Sequence, residues 1–134
     1  MHIESLHHRA RAALALAATE AGTARAELLG RAERDARSME RESAPWSSAL
    51  ATLLRAGICA TRGAPEQSAH LLESAEHQLR TCDMTLYALA ALHARGQLLG
   101  GERGRGLSAE ADQRIRSQEI LNPQRIAAML APGF

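Results

Sequence analysis

Apolar residues recur along this chain at intervals of three and four, the spacing that gathers them on one side of a helix. Ile3, Leu6, Ala10, Ala13, Leu14 and Ala17 form the first stripe and predict a helix from about Ile3 to Glu20. Gly22 is placed to end it and Thr23 to cap a second helix, about Ala24–Arg41, striped by Leu28, Leu29, Ala32, Ala36 and Met39. Ser43-Ala44-Pro45 interrupts the pattern, and Pro45 suits the first turn of a third helix reaching Thr61. Its stripe is Trp46, Leu50, Leu53, Leu54 and Ile58. Gly63 closes it. Pro65 opens a fourth, Glu66–Cys82, with Leu71, Leu72, Ala75 and Leu79 inward. Asp83 reads as the cap of a fifth, about Met84–Leu99, apolar at Leu86, Leu89, Ala90 and Leu92. The glycines from Gly100 to Gly106 read as a flexible turn before a sixth helix, about Leu107–Gln118. Asn122-Pro123 then starts a short last helix with Ile126, Met129 and Leu130 as its apolar side.

Two of these stripes nearly copy each other. AELLGRAERDAR at 26–37 returns as AHLLESAEHQLR at 69–80, and GLSAEADQRIR at 106–116 is a fainter third copy. Repetition of this length marks stacked helical units that bury their faces only against neighbours. The predicted fold is all-α. Antiparallel hairpins at about 3–41, 45–82 and 84–118, with a capping helix at about 123–131, make one domain over 1–134. Six or seven helices stack as a short superhelix. The last helix is expected to cover the open end of the third hairpin.

Composition agrees with that reading. The chain holds 28 Ala and 19 Leu, no Val, and one each of Trp, Tyr and Phe. Strands favour the β-branched and aromatic residues that are scarce here. A net charge of +1 supplies no basic field for nucleic acid, so none is expected as a partner. All 16 basic residues are Arg, which fits codon bias in a GC-rich genome. Cys59 and Cys82 are too few for a disulfide framework, and no secretory signal or membrane span is read. The expected compartment is the cytoplasm.

The helix pairs, with Ala32, Ala75 and Ala111 at the crossings and Trp46 opening the third helix, resemble tetratricopeptide repeats. The offset of 43 residues exceeds the ~34 usual for that family. The C-terminal part, through LLGG (98–101), GRGL (104–107), AEAD (109–112), NPQRI (122–126) and MLAPGF (129–134), is similar to the C-terminal regions of myxobacterial-type serine/threonine kinases. Those carry such an array behind the kinase domain. No kinase motif is present, and without Lys no phosphate-gripping lysine exists. The resemblance implies a partner-binding or regulatory module rather than an enzyme. If Met1 is the natural start, the chain is a stand-alone relative; otherwise it is an excised C-terminal domain.

Candidate chemistry narrows to surfaces. His70, His77 and Cys82 lie along one helix without the spacing of a metal site, so no metal and no cofactor is expected. The glycine run lacks the Lys of a nucleotide loop. The expected partner is a protein or peptide, held as a helix in a groove. First helices of the hairpins line the groove in such arrays, which singles out Arg9, Arg11, Arg55 and Arg95, together with Trp46 as hot spot or core plug. Self-association through a face of Ile3, Leu6, Leu14 and Leu16, as a homodimeric adaptor, is one alternative. Small-molecule sensing between hairpins is another.

Overall fold

The computed structural model describes residues 2–117 and 123–134, with the first turn of the last helix (123–126) as backbone only. Among these residues the chain forms seven helices: α1 (Ile3–Ala17), α2 (Gly22–Arg41), α3 (Pro45–Thr61), α4 (Pro65–Thr81), α5 (Thr85–Leu99), α6 (Gly101–Arg116) and α7 (Pro123–Leu130). The fold is all-α, built of stacked antiparallel hairpins.

Three consecutive turns share one design. Ser43 (φ 58), Gly63 (φ 82) and Asp83 (φ 58) sit in the left-handed region at 20-residue intervals. Two residues later the chain re-enters a helix each time, at Pro45, Pro65 and Thr85. At Gly63 the Ala64 amide donates to the Cys59 carbonyl (2.9 Å) and the Gly63 amide to Ala60 (3.1 Å). At Asp83 the Met84 amide donates to Leu79 (2.9 Å) and the Asp83 amide to Arg80 (3.1 Å). These paired bonds satisfy the last carbonyls of the preceding helix. Asp83 therefore terminates α4 rather than capping α5, whose start has no side-chain cap. Thr23 likewise lies inside α2, which begins at Gly22 behind Ala21.

The sequence copies occupy equivalent places. Leu29 and Leu72 are each the eighth residue of α2 and α4, and both are buried, as are Ala32, Ala75 and Ala111. The copies are 43 residues apart whereas the turns are 40 apart, because α2 has 20 residues and α4 has 17. The extra turn of α2 carries Met39, which is fully buried. Serines then tie successive helices: buried Ser47 Oγ donates to the Met39 carbonyl (2.8 Å), buried Ser68 Oγ to Ala56 (2.7 Å) and half-buried Ser108 Oγ to His93 (3.2 Å).

Each helix packs on the next in order, and α1 also touches α3. α3 and α5 lie inside this stack, and Ala88 to Ala94 of α5 is buried without a break. The glycine run is helical from Gly101 onward, contrary to the flexible turn expected there. Gly104 is needed where α6 meets α5: a β-carbon on it would stand 3.3 Å from the Leu99 backbone.

The last helix does more than close an end. α7 packs on α5 and α6, and the residues after it cross to α3 and α1. Ala127 within it and Ala131 just past its end are buried, while Met129, expected inward, is 56 % exposed. Ile126 falls outside the described side chains.

Candidate functional site

The C-terminal segment covers one side of the first helices: α7 packs on α5, and on α6 beside it, and the residues after it reach α3 next to α1. The Pro132 carbonyl oxygen stands 2.7 Å from where a β-carbon on Gly57 of α3 would be, and Leu14 Cδ2 of α1 stands 2.5 Å from the same point. Gly133, at φ +101, continues beside the Gly57 carbonyl and Thr61. Phe134 packs against the main core. Only glycine at 57 lets the backbone of the tail come this close. Between α1 and α7 a cleft of about 250 Å³ remains, lined by Arg11, Ala12, Ala15 and Met129 among others.

A polar cluster borders this face where α1 approaches α5. Arg11 Nη1 donates to the Tyr87 hydroxyl (3.4 Å), and Arg11 Nη2 lies 3.1 Å from His8 Nδ1. The His7 ring meets the Tyr87 ring edge-on, with centroids 5.6 Å apart. His7 is buried and its Nε2 has no hydrogen-bond partner among the described residues. Burial lowers its pKa to about 4, with the Arg11 and His8 charges adding to the shift.

The other arginines expected on the groove are committed elsewhere. Arg9 reaches α2, with Nε donating to Asp35 Oδ2 (2.9 Å) and Nη2 to Oδ1 (2.5 Å). Arg55 is paired with Glu40 of α2. Arg95 lies 3.4 Å from Glu76 of α4. Each joins a first helix to a second helix, because its long stem carries the guanidinium sideways to the nearest carboxylate. Of the four, Arg11 alone points to the C-terminal segment. Trp46, at the start of α3, is 37 % exposed and belongs to no buried cluster, so it is not a core plug.

The proposed dimer face is largely used up inside the subunit. Leu6 and Leu14 are buried in the core and Ile3 packs against it. Leu16 remains, 51 % exposed. The stripe that reads as a free face is the one α1 turns toward α2 and α3.

A second pair of surfaces lies between the second helices. One notch, of about 260 Å³, runs between α2 and α4 across α3, with Glu33, Arg55, Cys59, Arg62 and Leu71. Its counterpart, of about 280 Å³, runs between α4 and α6 across α5, with His70, Arg95, Leu99, Arg103 and Leu107. Arg55 and Arg95, and Cys59 and Leu99, are 40 residues apart and occupy equivalent positions. In the first notch the Arg62 hydrogen bond holds the Glu33 carboxyl below its usual range. Burial pushes the Cys59 thiol up, against the pull of Arg62 and Arg55.

Hairpin three contains a buried His93 whose Nδ1 lies 3.0 Å from Asp112 Oδ1, out of line for a good hydrogen bond. Ser108, one turn before Asp112, gives its hydroxyl to the His93 backbone carbonyl and so braces α5 on α6. Among the described residues no three His, Cys, Asp or Glu side chains converge as a metal site. No described helix is long and apolar enough to cross a membrane. Comparison with protein-family models, curated proteins and solved structures returns no match to this chain.

Proposed function

We propose that this chain is a non-enzymatic binding module that takes a short helix of a partner protein on the face where α7 rests on α5 and α6 and its tail crosses to α3 and α1. The observation that carries the reading is the seat of α7 and its tail: small side chains and a glycine accept a helix and its trailing backbone. A groove of this kind recognises shape, and its affinity comes from buried apolar surface at roughly 25 cal/mol per Å² less the cost of ordering the ligand. The charged residues around it are mostly paired within the chain, so charge capture contributes little.

The wider role we propose is the regulatory C-terminal part of a bacterial signalling kinase or ATPase, acting in the cytoplasm. The resemblance of residues 80–134 to such C-terminal regions supports it. Display of random helical peptides against the full chain tests the binding role, with Gly57→Leu as the counter-selected variant. Recovered amphipathic helices that lose binding on the variant support the reading. Ligands indifferent to Gly57→Leu, or extended acidic peptides, overturn it. Self-association is the second reading, favoured by exposed Leu16 alone; light scattering that gives a monomer removes it.

A further inference from the structure

The groove ligand in this structure is part of the chain itself, and the manner of its seating says what a partner has to look like. Ala127 in α7 and Ala131 just past its last turn, whose amide donates to the Ala127 carbonyl (2.8 Å), are 2 % and 4 % exposed. Pro132 is buried just beyond them, and its carbonyl makes the close approach at Gly57. The larger Met129 faces out, and the cleft beside it toward α1 is unfilled. The fully buried contact is thus made by small side chains, Pro132 and backbone, and half-buried Leu130 and Phe134 pack against the core beside it.

An eight-residue helix is unstable alone, so α7 holds its form by being docked. The few residues that join Arg116 to Pro123 keep it at high effective concentration near its seat. A short, tethered ligand of this sort competes with any free helix for the same face.

We infer that α7 and its Ala-Pro-Gly-Phe tail are a displaceable resident of the docking groove. The partner is an amphipathic helix of the same class, with small residues at i and i+4 on its buried side and a Pro-Gly turn after it. This rests on the reading that the face takes a helix. By filling the unoccupied cleft against Arg11, Ala12 and Ala15, a longer partner helix gains contact that α7 lacks. Release of α7 then accompanies binding, and the apparent affinity is the intrinsic affinity multiplied by the fraction of chains in which α7 is undocked.

The test uses the full chain and a fluorescent peptide of residues 123–134 added in trans. Anisotropy titrations compare the native chain, the double variant Ala127→Glu/Ala131→Glu, and that variant carrying Gly57→Leu. The double variant is expected to bind the peptide at least ~10-fold more tightly than the native chain. Adding Gly57→Leu is expected to abolish binding. A double variant that keeps its helical spectrum and binds no better than the native chain overturns the resident role. Hydrogen exchange on the native chain serves if the variant does not fold: amides of Ala127–Leu130 are expected to exchange at least ~10-fold faster than those of Leu53–Ile58. Equal protection overturns the inference. A helix from the display experiment that binds native and double-variant chains equally removes the resident while leaving the face. Failure of every helix removes the face itself.

Discussion

Gly96 of α5 and Gly104 of α6 face each other across the third hairpin, and a β-carbon on Gly96 would stand 2.6 Å from the Gly104 carbonyl oxygen. The helices meet backbone to backbone there. Alanine at either position has to push the helices apart, and overpacking of this kind costs about 1–3 kcal/mol. Gly106, two residues on, is exposed, with nothing within 4 Å of its would-be β-carbon. Gly106→Ala is therefore expected to stabilise by about 0.5–1 kcal/mol, the helical advantage of alanine over glycine. Urea unfolding of the three variants checks the contrast. A destabilised Gly106→Ala would mean that the 101–106 segment is not helical.

Asp83 gives an equally direct test of a turn. As an N-cap its replacement by glycine would cost little or slightly destabilise. As the left-handed residue that ends α4, it holds a backbone conformation that costs an L-residue about 1–2 kcal/mol. Asp83→Gly is expected to raise stability by a few tenths to about 1 kcal/mol after the added freedom of the unfolded chain is subtracted. Ser43→Gly is expected to do the same, and Gly63→Ala to do the reverse. Thermal melts that move the other way would sink the assignment.

These positions show where the sequence was readable and where it was not. Periodicity locates α3 and α4 to within a residue, since Pro45 and Pro65 punctuate them and their stripes are regular. The LLxxAE copies locate buried faces, because Leu29 and Leu72 have the same neighbours in the same register. Glycine is where reading failed. Gly101, Gly104 and Gly106, expected in a flexible turn, lie in α6, and Gly57 and Gly96, inside helices as expected, are glycine because another backbone passes close by. That reason belongs to a neighbouring helix and leaves no local trace. The site was half legible for a similar cause. First helices do line the groove, but arginine stems are long, and Arg9, Arg55 and Arg95 find carboxylates on second helices that linear spacing does not reveal. The burial of Ala127 and Ala131 in place of Met129 follows from the close approach at Gly57, again a tertiary fact.

His7 makes stability depend on pH in a defined window. Its pKa falls from 6.5 to about 4 on folding, so between those values the unfolded chain binds more protons than the folded one. Stability then rises with pH through the window, and the contribution is lost as pH falls from 6.5 toward 4. At 1.36 kcal/mol per pKa unit, this group alone removes on the order of 3 kcal/mol at the acid end. His7→Leu, which also deletes the unpartnered Nε2, is expected to flatten the profile between those limits and to exceed the native protein in stability at the acid end. Urea midpoints measured across that range check it. A variant with the native slope would assign the acid sensitivity to other groups.

Arg9–Asp35 and Arg62–Glu33 look alike as ion pairs but differ in setting. Asp35 is 4 % exposed and takes two hydrogen bonds from one guanidinium, whereas both side chains of the second pair are substantially exposed. A buried carboxylate left without its partner is costly, while an exposed pair is worth under about 1 kcal/mol. Arg9→Met is therefore expected to destabilise more than Arg62→Met. Adding Asp35→Leu to Arg9→Met is expected to restore much of the loss, because an apolar residue then replaces a stranded charge. Arg31 and Arg34 border the same cleft and soften the effect by supplying positive charge nearby. Double-mutant cycles at low salt and at about 1 M salt separate the pairs, since screening removes the exposed coupling first. Equal couplings at low salt, or a double variant no better than Arg9→Met, would show that Asp35 is solvated in solution and that α1 is not clasped to α2 at this point.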